Sequence, residues 1–395
     1  MRHLNHFALK KLSIKSIRLL PGLFIFLWMF SCIEPFDTAF RLTDSILVVD
    51  GNLTDQEAGN YVSLRNSKPS SISSSSSIFE PIKDASVWVL IDDSEKVNLS
   101  HFDAGTYSFP EGFKAENGRS YQLFFDLSNG NSYQSDAQVL KTVSPIKKVY
   151  QEFVSDGIRV RDITAAGHKI YLDMDEPEGK GDAYYWTWKS YEKQNYCTEC
   201  YGGRYYRNPG EAEGVCVSDQ LLIRYNVTYD YKCEKPCWEI IYSNTLNAMN
   251  DAFIDGRSLV GKQVAEVPLY TRNGAVIEIK QHAINDKAYK YLKLLIDQNQ
   301  NSGGLADTPS TALIGNMTSS TNRTESVGGY FVVSSVHTVH YFLDRADVIN
   351  GVKAVGFQVR ESNPEPSGAD TTRPPLAPCN ESVSRTSVQP INWID

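Results

Sequence analysis

The chain has 395 residues, with 39 Lys+Arg against 47 Asp+Glu and a formal charge of −8. At 41% hydrophobic and 22% charged residues it can bury a core, which excludes a disordered chain, and its acidic balance argues against a nucleic-acid partner. Its 22 Tyr, 17 Phe and 6 Trp against only 5 Met suit a β-rich protein with large polar loops.

Residues 1–31 carry five cations (Arg2, Lys10, Lys11, Lys15 and Arg18) and no acid. The apolar stretch Leu19–Phe30 is broken by Pro21-Gly22 and too short to span a bilayer, so it reads as a secretory signal. Ser31-Cys32 at its end resembles a bacterial lipobox, in which the cysteine is acylated and becomes the first mature residue. Phe30 is bulkier than usual there, and a cleaved signal with an incidental cysteine is the alternative. Loss of residues 1–31 leaves 34 cations against 47 anions, a mature charge of −13. No later segment has the ~18 apolar residues of a transmembrane helix.

From residue 32 to about 144, short alternating runs are separated by turn residues. Leu47-Val48-Val49 precedes Asp50-Gly51-Asn52, then come Tyr61–Leu64, Ala85–Ile91, Gly105-Thr106-Tyr107, Tyr121–Phe125 and a turn at Asn129-Gly130-Asn131. This spacing predicts a small antiparallel β-sandwich, interrupted by a Ser-rich loop at Ser70–Ser77. Pro145 lies near the expected boundary of a second, larger β-rich unit, residues 145–395. There, Lys169–Asp173 and Tyr184–Trp188 are expected to pair through the turn Glu176-Pro177-Glu178-Gly179, with Tyr184, Trp186 and Trp188 on one core-facing side. Asn285 caps a predicted helix bearing Ala288, Tyr291, Leu292, Leu295 and Ile296 on one face and ending near Gly303-Gly304. Strands are expected again at Tyr330–Val333 and Val352–Val359, before an irregular Pro-rich tail.

Several short motifs recur in a telling order: Val48-Val49-Asp50-Gly51-Asn52-Leu53-Thr54-Asp55, Asp84-Ala85-Ser86-Val87, Gly105-Thr106-Tyr107, Gly315-Asn316 with Gly329-Tyr330-Phe331, and Pro378-Cys379 leading to Arg385-Thr386 and Pro390-Ile391-Asn392-Trp393. Together they resemble domain-of-unknown-function family 4249, lipoproteins of the Bacteroidota outer membrane. The resemblance implies a mainly β protein whose first unit is an Ig-like or transthyretin-like (carboxypeptidase-regulatory-like) sandwich. It also implies a surface-exposed, non-enzymatic accessory or ligand-capture partner of a TonB-dependent receptor barrel. It supplies no catalytic residues.

Six cysteines remain in the mature body: Cys197, Cys200, Cys216, Cys233, Cys237 and Cys379. The first five form C-x2-C-x15-C-x16-C-x3-C in an excursion at 191–238 that has little aliphatic material. Three disulfides in any of 15 pairings, a zinc ribbon and redox chemistry all fit the spacing, and an exported chain favours disulfides. Tyr201, Arg204, Tyr205 and Tyr206 in that excursion are candidate contact residues. His337 and His340 fall on opposite faces of a strand, so they do not form a metal pair. The acids Asp173, Asp175, Glu178 and Asp182 fail the EF-hand template and read as a solvated turn. No nucleophile elbow, phosphate loop, dinucleotide fingerprint or metalloprotease motif is present, and no cofactor or resident metal is expected. The expected ligand is a small peptide or glycan. An assembly component of an outer-membrane complex and an exported hydrolase are the alternatives.

Overall fold

The computed structural model describes residues 45–394 except 68–78, 180, 209–210, 212, 253, 301–314 and 369–372. The signal segment, Cys32, the Ser70–Ser77 loop and the helix end expected at Gly303-Gly304 lie outside the described residues. The protein is mainly β. Among the described residues, no helix is long and apolar enough to cross a membrane.

Nine strands come first: β1 (Leu47–Thr54), β2 (Tyr61–Ser67), β3 (Phe79–Pro81), β4 (Ser86–Ile91), β5 (Glu95–Asp103), β6 (Thr106–Ser108), β7 (Ser120–Asp126), β8 (Ser132–Ser135) and β9 (Gln138–Val139). Their period-two alternation puts Val49, Leu53, Val62 and Leu64 into the same core as Val87, Val89, Ile91, Leu123 and Phe125. Full burial of such side chains contributes about 1.5–3 kcal/mol each. That core also takes Met317, Val327, Phe331 and Val333 from far along the chain, well past Pro145.

Next come β10 (Ile146–Val160), β11 (Ile163–Asp175), β12 (Asp182–Lys193), β13 (Tyr196–Tyr201), β14 (Gly203–Tyr206), β15 (Val215–Ser218), α1 (Gln220–Arg224), β16 (Thr228–Lys232), β17 (Trp238–Tyr242), β18 (Asn247–Asn250), β19 (Ser258–Pro268) and β20 (Ala275–Asn285). Helix α2 (Asp286–Gln300), β21 (Met317–Ser319), β22 (Gly328–Leu343) and β23 (Arg385–Thr386) follow. The large sheet runs β21-β8-β7-β4-β5-β6-β2-β1-β22-β20-β12-β17-β23, and a separate sheet β10-β11-β19 packs on it. Ile170, Leu172, Val264 and Val267 of the small sheet share a core with Tyr184, Trp186, Trp188, Ile277 and Ile279 of the large one.

The spine is β22. Its first half lies parallel to β1, from Val48↔Gly328 to Thr54↔Ser334, and its second half antiparallel to β20, from Ser335↔Ala283 to Leu343↔Ala275. Side chains serve the backbone groups of β22 where neighbouring strands stop. Asn316 Oδ1 accepts from Phe331 N and its Nδ2 donates to Phe331 O, each at 2.9 Å. Asp55 Oδ1 accepts from Val336 N at 2.9 Å, carrying the β1 edge one step further. Gly329, at φ +84°, has no room for a side chain: a Cβ there would lie 1.9 Å from Val49 O. The scattered motifs Val48–Asp55, Gly315-Asn316 and Gly329-Tyr330-Phe331 are thus one seam.

Two sequence expectations need correction. β11 and β12 do not pair across Glu176–Gly179: β11 bonds β10 and β19, whereas β12 bonds β20, β17 and β18. The turn crosses between layers, because both strands are long enough to find partners elsewhere. Val352–Val359 is not a strand either. Gly351 and Gly356 take positive φ there, and only isolated bonds form, such as Val355 N to Leu269 O (2.8 Å) and Gly356 N to Tyr270 O (3.1 Å). The cap of α2 is in place, with Asn285 Oδ1 accepting from Ala288 N at 2.8 Å.

Candidate functional site

Ile158-Arg159-Val160 ends β10 with Ile158 and Val160 buried, so Arg159 faces outward at the hairpin tip and Arg161 begins the turn. Beneath them opens a cleft of about 610 Å³, walled by Gln263–Glu266 of β19, by residues 244–248, by Lys293 and Ile296 of α2, and by Trp188 of β12. Arg159, Arg161, Trp188, Asn244 and Glu266 also border a second hollow of about 250 Å³ that brings in Tyr242, Tyr270 and Phe357. A third, about 380 Å³, shares Glu239, Tyr270 and Phe357 and reaches Arg360 and Arg385. The hollows share walls, the first two lying where the sheets meet and the third opening toward residues 194–199 and the tail; together they are called the groove below.

Aromatic rings and amides line the middle of these hollows, with charged side chains at both ends: Arg159, Arg161, Glu266 and Lys293 at one, Glu199, Asp230, Arg360 and Arg385 at the other. Tyr270 and Phe357 stack at 5.5 Å between ring centres. Trp186 donates Nε1–H to Gln281 Oε1 (2.9 Å), which in turn donates from Nε2 to Ser144 O (2.7 Å). Trp188, two residues on and on the same face, has a buried Nε1–H with no acceptor among the described residues. Glu266 is held by Gln263 Nε2 at 3.0 Å, and Lys293 pairs with Asp297. Arg159 makes only a 3.4 Å bond to Arg161 O, and among the described residues neither arginine has a carboxylate partner. Two exposed, unneutralised guanidiniums over an aromatic floor can hold an anionic group by paired charge-assisted hydrogen bonds.

The cysteines form a stapled annex beside the groove: Cys197–Cys233, Cys200–Cys216 and Cys237–Cys379. With the sulfurs bonded to one another, these cysteines offer no thiolates for zinc. Cys197, Cys237 and Cys379 nevertheless lie close together, packed with Tyr205, Tyr231 and Ala377. Glu365, which sequence reasoning missed, is the annex's polar hub. It is 4% exposed and accepts from Arg204 Nη1 (2.7 Å), Arg373 Nε (3.1 Å) and Tyr231 Oη (2.5 Å).

Of the expected contact residues, Tyr201 and Tyr206 are exposed, 62% and 45%, with Arg373 lying over the Tyr206 ring at 4.2 Å. Arg204 is bonded to Glu365 and half-exposed. Tyr205 must be withdrawn as a contact residue: at 3% exposure it fills the annex interior against Tyr231, because alternation along β14 turns it inward between Arg204 and Tyr206. The 142-residue span closed by Cys237–Cys379 pins the tail, so Cys379→Ser is expected to cost about 2–4 kcal/mol. Urea unfolding measures this, and trypsin should then cut at Arg385; an unchanged midpoint would contradict the assignment.

Asp173, Asp175 and Asp182 are not gathered together. Asp173 accepts from Gly261 N (2.9 Å), Asp175 pairs with Lys147 and Ser258, and Asp182 pairs with Lys141 at 2.6 Å. His168 Nε2 bonds Asp347 Oδ1 at 2.8 Å, yet burial still pushes its pKa down, keeping it a neutral pin for the loop after β22. The arginine pair carried a usable signal in its alternation, Ile158-Arg159-Val160-Arg161. Nothing local marked Glu365, whose partners lie up to 161 residues away.

The chain matches the family described as Domain of unknown function (DUF4249) over residues 33–339. It belongs to that family. The DUF4249 match contains the β1–β22 seam, Trp188 and both groove arginines, whereas Phe357, Glu365 and Cys379 lie beyond it. No curated protein and no solved structure matches the chain.

Proposed function

We propose that this DUF4249 protein is a lipid-anchored capture subunit of the outer membrane, tethered through acylated Cys32 and serving a TonB-dependent barrel. The carrying observation is the pair of arginines that, among the described residues, have no acidic partner above the Trp188-floored groove. That chemistry fits a small, polar, ring- or amide-bearing ligand with an acidic group, such as a uronate-bearing oligosaccharide or an acidic peptide. The anchor and the barrel partner are supported by the Ser31-Cys32 sequence and by the family resemblance. The topology suits such a tether. β1 begins beside Gly328, while Trp188 aligns through Ile279 with Val339, about 35 Å further along β22. The groove therefore stands away from the end where the N-terminal lead enters.

Binding of uronate and neutral oligosaccharides, and of acidic and neutral tetrapeptides, followed by tryptophan fluorescence, tests this reading. An acidic probe should bind in preference to its neutral counterpart, weaken with salt, and lose at least ~10-fold affinity in the Arg159→Ala/Arg161→Ala double variant. Equal binding by that variant would refute the groove. In cells, Cys32→Ala should release the protein from the membrane fraction, and its retention there would refute the anchor.

A further inference from the structure

In the crossing turn between β11 and β12, Glu176, Gly179 and Gly181 are laced to Asp251, Asp255 and Arg257 of the connection from β18 to β19. Glu176 N donates to Arg257 O (3.0 Å), Gly179 N to Asp255 Oδ1 (2.9 Å), and Gly181 N and Asp182 N to Asp251 Oδ2 (2.7 and 3.0 Å). Asp251 and Asp255 thus each spend one carboxylate oxygen on backbone amides, and among the described residues the other has no partner. Glu176 lies in this lacing, 4% exposed, with both carboxylate oxygens buried and, among the described residues, no hydrogen bond within 3.5 Å. Among the described residues its charged neighbours are Asp182, Asp251 and Asp255, all of its own sign. Lys141, the cation paired within this group, is taken by Asp182 and Gly181 O. The nearest polar group of β12 is the Tyr184 hydroxyl, which is shared with Ser144 Oγ at 3.4 Å and brings no positive charge.

We propose that this junction is a divalent-cation site of the calcium class, with Glu176 as its innermost ligand and the free oxygens of Asp251, Asp255 and Asp182 closing on the ion. The donors are all oxygen, which selects a hard cation. An irregular set drawn from two loops, with a carboxylate able to bind through both oxygens, suits calcium better than the strict octahedron of magnesium. The free oxygens are not yet gathered around one point, so the ion draws the two loops together. Since those loops connect β11 to β12 and β18 to β19, the ion fastens the small sheet to the large one. This site is separate from the groove, and its test does not depend on the capture reading.

Thermal unfolding of the purified chain with calcium or magnesium chloride at about 5 mM, together with terbium luminescence excited through Tyr184 and Trp186, tests it. Calcium should raise the midpoint by about 3 °C or more and magnesium by less. Glu176→Gln should abolish the calcium response, and calcium should displace bound terbium. No calcium response in the unaltered chain, or a full response in Glu176→Gln, would overturn the site. Should Glu176→Gln fail to fold, the terbium titration of the unaltered chain decides: calcium-displaceable luminescence supports the site, and its absence overturns it.

Discussion

Arg345→Ala is expected to cost about 3–5 kcal/mol of unfolding free energy, among the largest effects of any single side chain in this protein. Arg345 and Glu192 are both buried completely, with Nη2 to Oε1 at 2.6 Å. Nη1 adds bonds to Thr271 O (2.7 Å) and Asn273 O (2.9 Å), so one guanidinium joins the end of β22, the β19–β20 connection and the end of β12. Burial raises the Glu192 pKa and Arg345 restrains it, so deleting the arginine leaves a carboxylate with neither water nor a counter-charge. The pair itself need not be net stabilising. Glu192→Leu combined with Arg345→Met should therefore recover most of the loss. Urea denaturation of both singles and the double reports the coupling, and a single-variant cost below about 1 kcal/mol would show that the pair is not what holds this junction.

Gly329→Ala is the second large effect, about 3–5 kcal/mol or failure to fold. A Cβ at Gly329 would meet Val49 O at 1.9 Å, a backbone atom that moves only if β1 leaves β22. Gly59→Ala is the natural control. Gly59 has a similar φ of +88° with nothing within 4 Å of a Cβ, so it should lose only the conformational penalty, about 1 kcal/mol. Equal midpoint shifts for the two variants would mean that the seam tolerates separation.

Strands such as β1, β4 and β7 were legible because apolar residues alternate and Gly, Asn or Asp closes each run. Helix α2 was legible from Asn285 and the spacing of Ala288, Leu292 and Ile296. Pairing was not. Nothing in Lys169–Asp173 or Tyr184–Trp188 says that the first pairs with β10 and β19 and the second with β20 instead of with each other. The apolar run Val352–Val359 looks like a strand until Gly351 and Gly356 bend it. Site residues divide along the same line. Trp188 was readable as core, but its orphaned indole was not, since Trp186 on the same face finds Gln281 whereas Trp188 lies opposite Ile279. Glu176 looked like part of a solvated turn, because its burial arises only when the 251–257 loop covers it. The arginines at the hairpin tip announced exposure, not the cleft below them.

The like direction of β1 and β22 has a mechanical consequence. A pull at residue 45 acts along β1 toward its start, while the body resists through the far end of β22, in the opposite sense along the same axis. The backbone bonds from Val48↔Gly328 to Thr54↔Ser334 then bear the load side by side, in shear, instead of unzipping singly from one end. Gly329, which lets β1 lie this close, thereby sets how much force the lead can carry before its strand slides out.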